Sequence, residues 1–313
     1  MTTPSLENIS EKSKIKLEDI AVIIKIIRTQ TPTVSELVKE TSLSRGQIKR
    51  FLSSVKPFVN YAAASSRLTL TDKGLQALFL QQEDTPPSFK KEDLEEFIHF
   101  SKALSPKPNR EYDQFCATIQ TVLKRVEKFI KEKDLQKRKV AFLGDGDLTS
   151  LAAAYIFCAE EITVLEIDEN ILNVIEDTSR KFNLNIQSVK WDLRKAIPRE
   201  FLHRFDTVFT DPPYTANGFD LFLRRSLEAT KENSLSSHYI CYGTSSLSRE
   251  RSLKIQRIIN DYALFVREKL PNFNTYIQGA EAVGNVSDLY ILEKTPQTKL
   301  GKSKPAKKLY TWE

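Results

Sequence analysis

Histidine, cysteine and long apolar runs are scarce in this chain of 313 residues. The 3 histidines, His99, His203 and His238, show no metal-ligand spacing. A zinc site, or any other metal site, is therefore not expected. The 3 cysteines, Cys116, Cys158 and Cys241, are widely spaced, odd in number and flanked by apolar residues. They read as reduced packing residues and not as a disulfide framework. No apolar run approaches the ~20 residues of a membrane span. The first residues, Met1 to Lys14, are polar and hold no signal-like apolar core. A cytoplasmic protein with no membrane partner is expected. The three-glycine dinucleotide fingerprint is missing too, and there is no internal repeat.

What charge there is leans positive. A net charge of +6 permits nucleic-acid contact without demanding it. Part of the excess sits at one end, where Lys299 to Lys308 holds 5 lysines and no acid. A solvated tail is the simplest reading of that stretch.

Residues 1–82 read as a winged-helix domain. Ile20, Ile23, Ile24 and Ile27 recur at helical spacing. Thr33 and Glu36 have the spacing of a capping box ahead of Val34, Leu37 and Val38. Ser44 is placed to cap a third helix that turns Ile48, Phe51 and Leu52 inward. Residues 57–61 and 67–71 fit two wing strands, and a last helix is expected through Leu75, Leu78 and Phe79. The third helix offers Arg45, Gln47, Lys49 and Arg50, where helix-turn-helix proteins read a major groove. Winged helices also pack and dimerise, and solvated helices are often basic. Nucleic-acid binding is therefore not the favoured reading.

Residues 83–137 read as a linker and helical connector. Pro86 and Pro87 mark the linker, and a helix follows over 91–103. After Pro106 and Pro108, Glu111 to Leu135 reads as one amphipathic helix with Phe115, Ile119, Val122, Val126 and Phe129 on its apolar face. From 138 to 295 strands alternate with helices. Strands are expected near 139–143, 162–167, 186–190, 205–210, 237–242, 272–279 and 287–293, and helices near 148–158, 169–182, 217–231 and 249–266. This pattern implies an α/β fold with a mostly parallel sheet covered on both faces and an antiparallel strand at one edge. Residues 296–313 complete the chain as a basic flexible tail.

Two strand-loop stretches concentrate the chemistry. The first runs from Lys139 to Ser150 and contains Gly144-Asp145-Gly146-Asp147. The second runs from Phe205 to Thr215 and contains Asp211-Pro212-Pro213-Tyr214. In open α/β sheets ligands bind beyond the carboxyl ends of the strands. A glycine-containing strand-to-helix turn there suits a nucleoside-type ligand. Two carboxylates at the turn would repel a phosphate but suit a sulfonium. The next strand ends in Glu166 and Asp168, and an acid at that place can hold ribose hydroxyls. Spacing alone does not decide between the two, and both can also cap the following helix. Asp192, after the third strand, is placed to meet a base or an amine, or to pair with Arg194 at the surface. Two prolines stiffen the second loop and remove two N–H donors. They present the Asp211 carboxylate and the Tyr214 face at fixed positions, where an amine can be held by cation–π and polar contacts.

At these residues the chain resembles the branched-chain polyamine synthases, the N4-bis(aminopropyl)spermidine synthases of thermophiles and their relatives. That family carries a Gly-Asp-Asp-Asp-Leu-Thr-Ser stretch and an Asp-Pro-Pro loop. Here they stand as Gly144-Asp145-Gly146-Asp147-Leu148-Thr149-Ser150 and Asp211-Pro212-Pro213-Tyr214-Thr215. The resemblance runs from about Lys16 to Lys294. It implies a winged-helix domain followed by a Rossmann-like catalytic domain, and a homodimer. It implies aminopropyl transfer from decarboxylated S-adenosylmethionine to the secondary amine of spermidine or a related polyamine, with methylthioadenosine as the second product. The last Asp of the family's first motif falls on Asp147, the implied acid/base. Asp147 and Asp211 are then catalytic, and Asp145, Pro212, Tyr214 and Asp192 meet the substrate. Gly144, Gly146, Glu166 and Asp168 bind the co-substrate. Gly146 stands where the family has an Asp, which removes one negative charge from a polycation site.

Two rival functions stay open at this stage. An Asp-Pro-Pro-Tyr loop also serves S-adenosylmethionine-dependent amino-methyltransferases that grip a flipped base. The acidic first loop counts against them. The other rival is a winged-helix regulator whose α/β domain senses a ligand without chemistry.

Overall fold

A computed structural model describes residues 6–41, 43–62, 66–74, 89–156, 159–232, 236–243, 249–280, 284–300 and 309. The helix expected through Leu75, Leu78 and Phe79, Cys158, and nearly all of the lysine-rich tail lie outside the described residues. The chain divides into two compact units, Met1–Thr85 and Pro86–Glu313. No helix among the described residues is long and apolar enough to cross a membrane.

The first unit contains α1 (Leu6–Ser13), α2 (Leu17–Gln30), α3 (Val34–Thr41) and α4 (Arg45–Ser54), then β1 (Val59–Ala62), β2 (Arg67–Leu70) and the single turn α5 (Asp72–Gly74). Both expected caps form. Thr33 accepts from the Glu36 N–H at 3.2 Å while Glu36 accepts from the Thr33 N–H at 2.6 Å. Ser44 and Gln47 make the same reciprocal pair ahead of α4. Ile20, Ile23, Ile24, Ile27, Leu37, Ile48 and Phe51 are buried together. β1 and β2 pair antiparallel, as the two expected strands should. The polar start of the chain did not announce α1, which contributes the buried Ile9.

The second unit begins with α6 (Lys91–Ala103) and α7 (Ile119–Lys131). The alternating part follows as β3 (Lys139–Leu143), α8 (Thr149–Tyr155), β4 (Glu161–Glu166), α9 (Glu169–Phe182), β5 (Ile186–Lys190), β6 (Thr207–Thr210), α10 (Ala216–Ala229), β7 (Ser237–Tyr242), α11 (Arg249–Asp261), β8 (Phe265–Ala280) and β9 (Gly284–Glu293). The sheet order is β5-β4-β3-β6-β7-β9-β8. β3 to β7 pair in parallel, and β9 joins β7 antiparallel with β8 outside it. The chain winds outward from β3 to β5 and then crosses back to β6. The loops after β3 and β6 therefore open at the point where the winding reverses, the ligand position of such sheets.

Side-chain alternation along the strands builds two apolar layers. Val140 and Phe142 of β3 face α6, α7, α8 and α9, while Ala141 and Leu143 face the side where Phe222 of α10 packs. The segment 83–137 is thus more than a connector. Leu94, Phe97 and Ile98 of α6 and Val122, Val126 and Phe129 of α7 belong to the same core as the sheet.

The single helix expected over Glu111 to Leu135 does not form. The helix starts only at Ile119, with Thr118 as its cap accepting from the Thr121 N–H at 3.2 Å. Asp113 takes a left-handed conformation (φ 50°), which interrupts any helix. Residues 116–118 instead run extended against β8, with Thr118 donating to the Thr275 carbonyl and Cys116 accepting from the Ile277 N–H, each at 2.8 Å. Strand pairing outweighs the local helical spacing here. Phe115 is released from the supposed apolar face and lines the cleft. At the far end α11 stops at Asp261, and Phe265 and Val266 enter β8.

Candidate active site

A cleft of about 860 Å³, open to solvent at its mouth, lies beyond the carboxyl ends of β3, β4 and β6. Gly144 turns the chain out of β3 with φ +71°, a conformation that favours glycine. A side chain there would project towards the Phe222 ring at 3.7 Å and the Glu166 carboxylate at 3.9 Å. Its absence keeps this end of the cleft wide enough for a ligand to approach the backbone.

Asp145 lines the cleft, yet both its oxygens serve the protein. They accept from the Thr149 and Ser150 N–H groups at 2.9 and 3.1 Å, capping α8 from four residues before its start. Leu148, next to α8, is left-handed (φ 59°) and offers no cap of its own. Burial pushes the Asp145 carboxyl up to about 7, despite its two capping bonds.

The two acids at the end of β4 separate in role. Glu166 lines the cleft. Its Oε2 accepts from the Asp145 N–H at 2.8 Å, and its Oε1 from the N–H groups of Ile167 and Asp168 at 2.7 and 3.0 Å. Burial raises its pKa, and these three N–H groups pull it back in part. Asp168, expected as a co-substrate ligand, does not line the cleft. It caps α9 through the Asn170 N–H at 2.9 Å and accepts from the Gln114 amide at 3.0 Å. Asp192 reaches the rim but is held by Arg194, whose Nε lies 3.0 Å from both of its oxygens.

Asp147 and Asp211 converge on a group that the loop motifs do not contain. Arg125 of α7 donates from Nη1 to Asp147 Oδ2 at 2.8 Å and from Nη2 to Asp211 Oδ2 at 2.7 Å. Its side chain is 0% exposed. Its Nε donates to Asn274 Oδ1 at 2.8 Å, so β8 fixes the plane of the fork. Burial opposes the Arg125 charge, but Cys241, Asp147, Asp211 and Tyr276 around it outweigh that and raise its pKa well above the usual arginine value. Asp147 Oδ1 also accepts the Ala117 N–H at 2.5 Å and faces Lys102 Nζ of α6 at 3.7 Å. Sequence reading passed over Arg125 because it sits among apolar residues. The signal was there: Val122, Arg125, Val126 and Phe129 share one helix face. An arginine at such a core position needs a buried partner.

Asp211 is more open than Asp147, with 18% of its side chain exposed. Tyr276 of β8 donates to its Oδ2 at 2.7 Å, and Tyr214 donates to Oδ1 at 3.2 Å. Burial lifts the Asp211 carboxyl above its ordinary value; Arg125 draws it down and Asp147 pushes it up. Tyr214 is nearly buried, and its ring lies 6.3 Å from that of Phe115 at 14° between planes. Pro212 and Pro213 line the cleft beside it. The loop is braced by Gly218, where a Cβ would come within 2.5 Å of the Pro213 carbonyl. Leu309, near the end of the chain, also lines the cleft, and its carbonyl accepts from Thr215 Oγ1 at 2.7 Å. A Cβ on Gly146 would meet the Gln114 side chain at 3.7 Å, an ordinary van der Waals contact.

The site is therefore rich in carboxylates whose charge is partly balanced by Arg125 and Lys102. It can hold a cationic ligand, orient an amine and accept a proton. An uncharacterized protein of Methanocaldococcus jannaschii is 39% identical over 175 residues, covering 56% of this chain and 44% of that protein. The N(4)-bis(aminopropyl)spermidine synthase of Thermococcus kodakarensis is 34% identical over 187 residues, covering 59% and 52%. The chain thus spans about half the length of the curated relatives it matches. The crystal structure of the branched-chain polyamine synthase from Thermus thermophilus, in complex with N4-aminopropylspermidine and 5′-methylthioadenosine, shares the fold. It superposes with a TM-score of 0.63 at 20% identity, covering 99% of this chain and 98% of that one. A family model for the branched-chain polyamine synthase A C-terminal domain matches residues 92–310, and the chain belongs to that family.

Proposed function

We propose that the protein is an aminopropyltransferase. It would move an aminopropyl group from decarboxylated S-adenosylmethionine to the secondary amine of spermidine or a related polyamine. The products are a branched polyamine and methylthioadenosine. One observation carries this reading: a carboxylate pair bridged by Arg125, Asp147 and Asp211, lines a cleft that Glu166 and the Gly144 turn also line. The T. thermophilus relative crystallised with the corresponding pair of products supports it.

The residues present suit such ligands. The cleft is acidic at the turn where a phosphate would need donors, which fits a sulfonium nucleoside. Glu166 stands at the ribose position of open α/β sheets. Asp147 and Asp211 orient the attacking nitrogen and take a proton from it, because only the neutral amine can attack. Asp145 and Asp192 contribute negative potential, and Pro212 and Tyr214 wall the acceptor side. The protein's contribution is alignment and electrostatics. The first unit serves as a winged-helix packing module, and the assembly is a homodimer. Sedimentation equilibrium of the full chain tests the dimer, which a monomer mass would refute.

The deciding experiment incubates the protein with spermidine or, in parallel, duplex DNA, each with decarboxylated or intact S-adenosylmethionine, with products read by mass spectrometry. A branched aminopropyl product with the decarboxylated form supports the proposal. Turnover of only the intact form, on nucleic acid, would replace it with methyl transfer.

Two substitutions refine the site. Glu166→Gln should weaken methylthioadenosine binding about tenfold or more, the loss of a charge-assisted hydrogen bond. Asp168→Asn should leave that affinity unchanged, because Asp168, unlike Glu166, does not line the cleft. Calorimetric titration reads both, and the reverse order would return the ribose role to Asp168. Gly146→Asp restores the family's acid where there is room for it. It should tighten spermidine binding by roughly 3–10-fold at low salt, the scale of a partly solvated ion pair. An effect that persists at high salt would not be electrostatic.

A further inference from the structure

A cation at the floor of a cleft for cations needs a reason. Arg125 lowers the attraction that the carboxylates would otherwise exert on a polyamine. It is nonetheless held firmly: α7 carries it, Asn274 of β8 accepts from its Nε, and Thr149 of α8 accepts from Nη1 at 3.3 Å. Asn274 is itself fixed by donating to Ser287 Oγ of β9 at 2.9 Å. Such a fork is a built part of the site.

Its two donors divide the carboxylate oxygens. Arg125 takes Asp147 Oδ2 and Asp211 Oδ2. Asp147 Oδ1 is occupied by the Ala117 N–H and faces Lys102. Asp211 Oδ1 retains capacity, with a single bond among the described residues, the long one from Tyr214. We propose that Arg125 is a positioning residue that keeps Asp147 and Asp211 together as an ionised pair, leaving Asp211 Oδ1 as the proton acceptor for the incoming amine. This rests on the aminopropyl-transfer reading.

The step balances as follows. Asp211 Oδ1 takes one proton from the secondary ammonium. The freed lone pair forms the C–N bond to the methylene carbon next to sulfonium. The C–S bond breaks with its electron pair on sulfur, and the product leaves as a tertiary ammonium. The Asp211 carboxyl then returns its proton to solvent. Two neighbouring carboxylates without Arg125 would share a proton. One of them could then no longer accept the proton of the amine. The titratable groups facing the pair are Arg125, Lys102, Asp145, Cys116, Tyr214, Tyr276 and Cys241. Of these, Arg125 is the cation that contacts both acids.

The test compares wild type with Arg125→Lys and Arg125→Met. Arg125→Met should lower kcat by about 100-fold or more and move the acid limb of its pH profile upward by about one pH unit. Arg125→Lys should recover part of both. Methylthioadenosine affinity should stay within about threefold, since Glu166 is not touched. A kcat within about threefold of wild type, or a large loss with no shift of the acid limb, would overturn the proposal. A second readout needs no activity. The melting-temperature deficit of Arg125→Met should shrink from about pH 8 to about pH 5.5, as the stranded carboxylates take up protons. Adding Asp211→Asn to Arg125→Met should restore stability. A deficit independent of pH and of Asp211→Asn refutes the positioning role. Wild type that melts as expected but transfers no aminopropyl group refutes the function instead.

Discussion

Asp211→Asn is expected to reduce kcat for aminopropyl transfer by about 10²–10⁴-fold, the usual worth of a general base. The amide keeps the shape of the carboxylate, so the Arg125 and Tyr276 donors still find an oxygen and the fold should persist. What is lost is the capacity to take a proton. Asp147→Asn should also cost orders of magnitude, but with a different signature. Asp147 is 6% exposed and tied to Arg125, Ala117 and Lys102. Its replacement disturbs the fork and should lower stability as well as rate. Steady-state kinetics with a thermal melt on each variant separates the two. If Asp211→Asn retained near-wild-type turnover, the base would lie elsewhere.

The second large effect concerns pH and Asp145. Its carboxyl titrates near 7 in the folded protein and near the ordinary carboxylate value of about 4 when unfolded. Between those values the native state holds a proton that the unfolded chain has released. Stability contributed by this group is therefore full at about pH 4 and falls as pH rises to about 7. The total is on the order of 4 kcal/mol, from three pKa units at about 1.4 kcal/mol each. Asp145→Asn removes this slope. Its stability relative to wild type should improve from about pH 4 to about pH 7 and level off above that in urea titrations. Parallel curves would mean that Asp145 is ionised throughout. A bound cation should stabilise the ionised form, so spermidine binding near neutral pH should release protons.

The sequence was most legible where one interaction dominates. Buried parallel strands show as apolar runs, and β3, β4, β5 and β7 fall within a residue of their expected bounds. The capping box at Thr33 and the cap at Ser44 are local and form as expected. Legibility failed where tertiary contact overrides local preference. Residues 116–118 fall within a stretch of helical spacing but are drawn into pairing with β8. The site divides in the same way. The two loops place Asp147 and Asp211 in the cleft because strand ends position loops. The choice between Glu166 and Asp168 was not in the spacing; it depends on which carboxylate the α9 terminus claims. Arg125 was hidden because its partners lie 22 and 86 residues away in sequence.

The position of Arg125 has a consequence for how this α/β unit can be cut, fused or inherited. A fragment starting at the first strand of the large sheet would keep both loop motifs intact. It would also lose Arg125 and Lys102, and with them the countercharge to Asp147 and Asp211. Such a piece would look complete in a motif search and be chemically defective. The smallest transferable module therefore begins upstream, at α6, where the family match also begins. In any exchange of domains between relatives, these two helices must travel with the sheet.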